Sequence, residues 1–489
     1  MIEPSRATSP SPALAESRQP LRPLEIAVVV HVAVLAIFSA WAFGGNAYWS
    51  RLATAGLGSL GFLFTAAALL SSATRTGSRA LVLRCLWPCV LLNGLVLASC
   101  LNPSFRAIVD GADVYYVQGT PAANLPSTAR PDLSLQALWF FDAAYLSCFN
   151  LMLVVRQRRV LRWLLLALVA NAVLLAAFGT MQKLLGATAP FFAPGKFRQP
   201  FFFASFLYHN HWGAYALLMI TASIALVFHY ARNARARDFW HTPGFSGLIA
   251  IGLLAMAIPL SGSRSATLLL GVLLLAALGQ WCIRVFLNRA RRPRGLRATA
   301  VVSLVLLAGT ATLGYAFARP VITARMQTTY RQLDRVRATP SAATRVRLYR
   351  DTWHMVQQRP WFGWGLASYP TAFFLFNSQR FPHPITHPEA QVNFRDAHSD
   401  WLQSLAELGI IGTTLVALCA IVPLWTARRS LGASWLSGGL WTGISIVLLY
   451  AAVEFPFGNA AVIVAFWLCF FCAVHYPRVE SAAAAPQPA

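Results

Sequence analysis

Apolar runs of membrane length alternate with short polar connections along almost the whole chain. They begin near Leu24, Leu52, Leu81, Leu135, Val160, Phe203, Phe245, Ala266, Thr299, Trp401, Leu436 and Ala460. An α-helix needs about 20 apolar residues to cross the hydrocarbon, so the pattern predicts an all-α integral membrane protein of about twelve transmembrane helices. One interruption breaks the rhythm. An Arg-rich hydrophilic stretch over 320–397 separates nine expected helices in 23–319 from three in 398–476, with polar tails at 1–22 and 477–489.

Composition agrees with the pattern. The 489 residues are 57% hydrophobic and 11% charged, whereas an ordinary soluble domain carries about a quarter charged residues. A formal charge of +24 invites a nucleic-acid partner, but the placement of the cations supplies another reason. With the N-terminus in the cytoplasm, the loops on that side hold 22 of the 40 Lys and Arg residues. Of the other 18, 11 fall between Arg319 and Arg395, in a connection long enough to escape the positive-inside rule. This imbalance predicts both termini inside and the long loop outside, with no nucleic acid implied. Residues 1–22 are rich in Ser, Pro and Ala without an apolar core, the composition of a disordered tail. None of the eight cysteines lies in the long loop, so no disulfide framework is indicated there.

Once sides are assigned, the polar oddities gather on the outer face. Ser261-Gly-Ser-Arg264 joins the seventh and eighth helices there, Tyr208-His209-Asn210-His211 opens the sixth, and Glu454-Phe-Pro456 lies between the last two. Within the long loop, Val346, Tyr349, Trp353 and Val356 have the spacing of a short amphipathic helix. Arg345, Arg347 and Arg350 lie on it, the last two one turn apart and able to face one ligand. Residues 359–365, Arg-Pro-Trp-Phe-Gly-Trp-Gly, end it. His398 stands at the start of the tenth helix, with Asp396 or Ser399 as its cap, and is the candidate general base. His209, His211 and Glu454 are candidates for the substrate pocket. The alternative of a divalent metal on His383, His387, Glu389, His398 and Asp400 matches no strong zinc spacing and is interrupted by Pro384 and Pro388.

The Ser-Gly-Ser-Arg264-Ser turn, the Arg-x-x-x-Tyr-Arg-Asp-Thr-Trp helix with Arg-Pro-Trp-Phe-Gly-Trp-Gly after it, and His398-Ser-Asp-Trp-Leu-Gln-x-Leu-Ala-Glu-Leu-Gly-Ile-Ile-Gly together resemble the O-antigen ligase and polymerase family of bacterial envelope glycosyltransferases. The resemblance covers roughly residues 171–472, while residues 102–133 add little to it. It implies a GT-C-like, multi-pass enzyme of the inner membrane, using no nucleotide and needing no metal or other cofactor. Such an enzyme moves a glycan from undecaprenyl diphosphate to an acceptor at the periplasmic face. For a ligase the acceptor is a hydroxyl of the lipid A core; for a polymerase it is another lipid-linked repeat, and for an O-oligosaccharyltransferase a protein Ser or Thr. Carried over by motif, Arg264 and an arginine of the 345/347/350 helix contact the diphosphate and His398 is the base. The expected partners are the lipid-linked donor, the acceptor and membrane lipids, with the protein acting as a monomer.

The chemistry of that face is compatible with the implied reaction. A donor used outside the cytoplasm arrives already activated, and a diphosphate leaving group supplies the activation. Arg binds phosphate oxygens with a planar, paired set of donors, and base assistance to the acceptor hydroxyl contributes about 10²–10⁴-fold. A single displacement inverts the anomeric carbon. The rival from another class, a lipid-linked glycan exporter, predicts charges along a path through the bilayer midplane, whereas here they collect at one face.

Overall fold

A computed structural model describes residues 20–72, 74–111, 113–195, 201–233, 241–287, 344–378, 394–428 and 434–484, with the single positions 319 and 323. Eight helices are long and apolar enough to span a membrane: α1 (Pro23–Trp41), α2 (Tyr48–Leu70), α5 (Pro131–Val154), α6 (Arg158–Leu184), α7 (His209–Ala231 of the helix His209–Asn233), α8 (Pro243–Ser261), α11 (Asp400–Ala427) and α13 (Ala460–Glu480 of Ala460–Ala484). A bent pair, α3 (Arg75–Cys85) and α4 (Trp87–Cys100), qualifies as one span with a 51° break. Two shorter apolar helices are α9 (Arg264–Leu287, apolar over Arg264–Gln280) and α12 (Trp435–Tyr450). The span expected near Thr299 lies outside the described residues, as do the loop's His383, His387 and Glu389.

Two boundaries differ from the hydropathy pattern, each for a local reason. The run expected to cross from Phe203 enters its helix only at His209, because Phe203 and Phe206 exchange backbone hydrogen bonds in a tight bridge. That bridge tucks Phe203 against Trp212, ring centroids 4.9 Å apart. The third span breaks where Pro88 occupies the first turn of α4, a position where its missing N–H and fixed φ are tolerated.

Helices α7 and α13 form the centre of the bundle, since 83% and 94% of their apolar windows are enclosed by neighbours. Helix α12 approaches α7 through Gly439 and Gly443, opposite Ala225 and Thr221. Small residues at such spacing let backbones approach where lipid offers no hydrophobic drive to associate. At one end of the bundle the Arg156 amide donates to Glu25, Arg162 to the Tyr476 hydroxyl, and Arg158 lies 3.8 Å from Glu480. The start of α1 and the end of α13 are therefore together at that end. The turns 42–47, 208–211, 261–264 and 451–459 meet at the other.

The polar segments at this second end are held by an opening within α11. Gly409 has φ +62° and ψ −170°, which splits the helix, and residues 360–365 cross the gap. The amides of Trp364 and Gly365 donate to the carbonyls of Ala406 and Glu407, and those of Ile410 and Ile411 donate to Pro360 and Trp361. Buried backbone groups freed by such a break must find partners, and here the crossing segment and the opened helix supply each other's. The Glu407 carboxylate completes the clasp by accepting from the amides of Ala367 (2.8 Å) and Tyr369 (3.1 Å).

Residues 102–133, which add little to the family resemblance, are part of the same construction. They form a hairpin, β1 (Phe105–Asp110) antiparallel to β2 (Asp113–Gln118), with Phe105 opposite Gln118. The chain after it docks on the crossing segment: the Ala129 amide donates to the Trp364 carbonyl, and Thr128 and Ser368 share a 2.9 Å hydroxyl contact. Arg359 lies 3.9 Å over the Trp364 ring and donates to Ser127. Helix α10 (Thr344–Gln358) packs Leu348, Met355 and Val356 into this cluster beside Tyr369 and Phe373, whereas Val346 and Trp353, expected on its apolar face, are exposed because the buried stripe is rotated around the helix from the one their spacing suggested.

The crossing allows no side chain at two glycines. A Cβ on Gly363 (φ +66°) would overlap the Glu407 backbone, and one on Gly409 the Trp361 backbone. Gly363→Ala and Gly409→Ala are each expected to destabilise the protein by about 2 kcal/mol or more. Gly94→Ala, in α4 with open space around its Cβ, serves as the neutral control. Thermal unfolding in detergent measures the difference.

Candidate active site

Four connections at the same end of the bundle bring the sequence candidates together around Glu454 and Phe455. Glu454 follows α12 and its side chain is 2% exposed. Its Oε1 accepts from Arg345 Nη2 at 2.6 Å, and its Oε2 lies 3.6 Å from His398 Nδ1. Burial alone pushes the Glu454 carboxyl up, but His398 and Arg345 beside it outweigh that and hold it below its ordinary 4.5. Arg345 is 47% exposed at its side chain, so one side of the ion pair is wet and the other is sealed.

His398 is the most constrained of these residues. Its φ of +53° lies in the left-handed region, which costs a non-glycine residue about 1–3 kcal/mol and persists only where neighbours impose it. Three contacts impose it. Tyr349 of α10 donates its hydroxyl to the His398 carbonyl at 2.8 Å. Ser399 caps α11 by accepting from the Leu402 amide. The Asp400 amide donates to the carbonyls of Ala451 and Glu454, while its carboxylate accepts from the Phe457 amide at 2.8 Å. The imidazole sits edge-on to Phe455, centroids 4.8 Å apart, with its side chain 28% exposed.

Phe455 links His398 to the turn bearing Arg264. Tyr208 stacks on Phe455 at 5.4 Å, and Asn210 donates to the Tyr208 hydroxyl at 2.8 Å. Asn210 in turn accepts from Ser263 Oγ at 2.7 Å, and Ser263 also lies 3.2 Å from the Tyr450 hydroxyl. Gly262, at φ +83°, ends α8 so that Ser263 points inward and Arg264 begins α9 exposed. The Ser-Gly-Ser-Arg pattern thus reads as an anchored turn presenting an arginine.

The remaining candidates take different places. His211 is buried with both ring nitrogens engaged, Nδ1 with Asn46 at 3.1 Å and Nε2 with the Phe455 carbonyl at 3.2 Å. His209 Nδ1 meets the Phe201 carbonyl at 3.2 Å. Both are engaged with the protein itself. On α10, Arg345 and Tyr349 share the face toward His398. At 100° per residue Arg347 lies about 160–200° around the helix from that pair and Arg350 about 100–140°. Arg347 is half-buried and Arg350 exposed, so the three arginines fan out and do not converge on one point.

Sequence reasoning missed Tyr349 as a polar contact and gave no role to Gln403. Gln403 accepts from the Ala397 amide at 3.0 Å and donates to Glu407. The only sequence signal for Gln403 and Glu407 was their place in the His398 motif, where they act as braces for the loop. Among the described residues no three His, Cys, Asp or Glu side chains gather as a metal site. A cavity of about 700 Å³ lined by Leu83, Arg84, Trp87, Trp425 and Arg428 lies on α3, α4 and the far end of α11, away from this cluster.

Residues 248–417 match the family model described as O-antigen ligase. The matched span contains Arg264, Arg345, Arg347, Arg350 and His398, whereas Glu454, Tyr208 and Asn210 lie outside it. No curated protein matches the chain.

Because Glu454 is held below its ordinary value, its ion pair stabilises the fold above about pH 4.5, and that contribution is lost as pH falls through the folded value. The melting temperature of wild type minus that of Glu454→Gln should be positive at pH 7 and shrink on acidification below pH 4.5. A difference that stays constant across that window would show that the carboxylate's charge contributes nothing.

Proposed function

We propose that the chain is a ligase with an O-antigen ligase/polymerase-type function, a reading supported by the family match over residues 248–417 and by its membrane-length apolar helices. In this reading it transfers a glycan from undecaprenyl diphosphate to a hydroxyl of the lipid A core oligosaccharide, inverting the anomeric carbon and working at the periplasmic face of the inner membrane without a metal. The observation that carries the reading is the union of His398 and Arg345 on one buried carboxylate, at the end of the bundle where Arg264 also emerges.

The roles follow from the placement. Arg264 and Arg345 bind the diphosphate, with Arg347 and Arg350 on the outer faces of α10 contributing positive potential to an approaching anion. Arginine suits a leaving diphosphate because its donors stabilise negative charge as it develops. His398, half-buried and held in a strained backbone, accepts the proton of the attacking hydroxyl. His209 and His211 shape the pocket by fixing Phe201 and Phe455, and Phe455 is the platform for the base.

The test is glycan transfer by the purified protein in EDTA, from undecaprenyl diphosphate to lipid A core. Wild type should transfer, whereas His398→Ala and Arg264→Ala should each lose on the order of 10²-fold or more in kcat. Wild type that ignores lipid A core but consumes donor when offered another repeat unit or a protein identifies a polymerase or an O-oligosaccharyltransferase instead. No turnover with any acceptor removes the glycosyltransferase reading altogether.

A further inference from the structure

Base catalysis by an imidazole requires one nitrogen to carry its hydrogen elsewhere while the other keeps a free lone pair toward the substrate, and the ring itself does not decide which. We propose that Glu454 is the positioning residue for His398: it accepts the Nδ1 hydrogen, leaves Nε2 as the nitrogen facing the acceptor, and balances the imidazolium formed during transfer. This rests on the reading of His398 as the base.

The geometry carries the assignment. Glu454 Oε2 and His398 Nδ1 are both buried, and each is without a hydrogen-bond partner. They face each other at 3.6 Å. A buried polar atom left unsatisfied costs about 1–3 kcal/mol, and closing this gap by roughly 0.7 Å to hydrogen-bond length satisfies both at once. The remaining freedoms of His398 are already removed. Tyr349 and the Asp400 amide fix its backbone, and the Asp400 amide is bound by the carbonyl of Glu454 itself. Phe455, the next residue, meets the ring edge-on. What is left undecided is the orientation of the ring nitrogens, and a carboxylate on one side decides it. Arg345 on Oε1 keeps that carboxylate charged.

The step balances. A lone pair of the acceptor oxygen forms the new bond to the anomeric carbon, and the bond from that carbon to the diphosphate oxygen breaks with its electron pair leaving on the diphosphate. The hydroxyl proton passes to Nε2, the Nδ1 hydrogen stays between ring and Glu454, and the imidazolium later returns its extra proton to water.

A role confined to pairing with Arg345 predicts a different result from a role exerted through His398. Single-turnover transfer and donor affinity are measured for wild type, Glu454→Gln, His398→Ala and the double variant. Glu454→Gln should lower kcat on the order of 10²-fold with donor affinity within about threefold, and in the His398→Ala background it should cost less than about threefold, since residues acting as a unit are not additive. An equal loss in both backgrounds, or Glu454→Gln keeping more than about a third of wild-type kcat, overturns the proposal while leaving His398 as the base. Transfer undiminished by His398→Ala overturns both. Donor binding reports folding. Should Glu454→Gln fail to bind donor, Glu454→Asp, which keeps the charge and withdraws it by one methylene, is read in the same cycle with the same criteria.

Discussion

A helix opened within its length needs partners for its freed amides and carbonyls. The break at Gly409 is therefore possible only because residues 360–365 pass through it and exchange four backbone hydrogen bonds with residues 406–411. Neither part is stable in this form without the other. The opened helix gives a polar loop a fixed anchor on the apolar body, and the loop closes the helix. The two motifs most prominent in the sequence, Arg-Pro-Trp-Phe-Gly-Trp-Gly and Ala-Glu-Leu-Gly-Ile-Ile-Gly, are the two halves of this one crossing.

The position of the chemistry follows from the anchor. Because residues 359–369 are clasped by Glu407 and covered by the chain after the β-hairpin, α10 is delivered to the end of the bundle in one orientation, with Arg345 and Tyr349 toward His398. Tyr349 then holds the strained carbonyl, and Asp400 ties the start of α11 to the 451–457 turn that supplies Glu454 and Phe455. Within the His398 motif there is a division of labour. His398 has the half-buried ring, Ser399 caps, Asp400 sews two elements together, and Gln403 and Glu407 brace the loop.

The lipid constraint made the spans legible, since apolar length alone identifies a crossing helix, and the candidates most useful for the site were those that hydropathy placed at a common depth: His398, Glu454 and Ser263-Arg264. What hydropathy cannot carry is direction within a face. The sequence put Arg345, Arg347 and Arg350 on one helix but not the phase of that helix against His398, which is set by Leu348 and Met355 burying into a cluster made by residues far away in the chain. For the same reason His211 read as a pocket residue, although contacts from Asn46 and the Phe455 carbonyl occupy both its nitrogens. Residues 102–133 added little to the resemblance because their contribution is a set of backbone and hydroxyl contacts to the crossing segment, which leave little mark in residue type.

In the proposed reaction a carboxylate beside the donor diphosphate looks at first like a defect, because it repels the substrate's charge. Here the arrangement turns that cost aside. Arg345 lies on Oε1 at 2.6 Å, so an approaching anion meets an ion pair with its guanidinium on the wet side and its carboxylate sealed behind. Breaking such a pair by removing the cation would leave a buried charge without compensation, which ties the donor side of the site to the base side through a single residue. A lysine at this position would keep the charge but lose the planar fork that can serve a carboxylate on one edge and a phosphate on the other. The geometry thus favours arginine at 345 for a reason independent of its neighbours on α10, with Glu454 as the one carboxylate that Arg345 and His398 share.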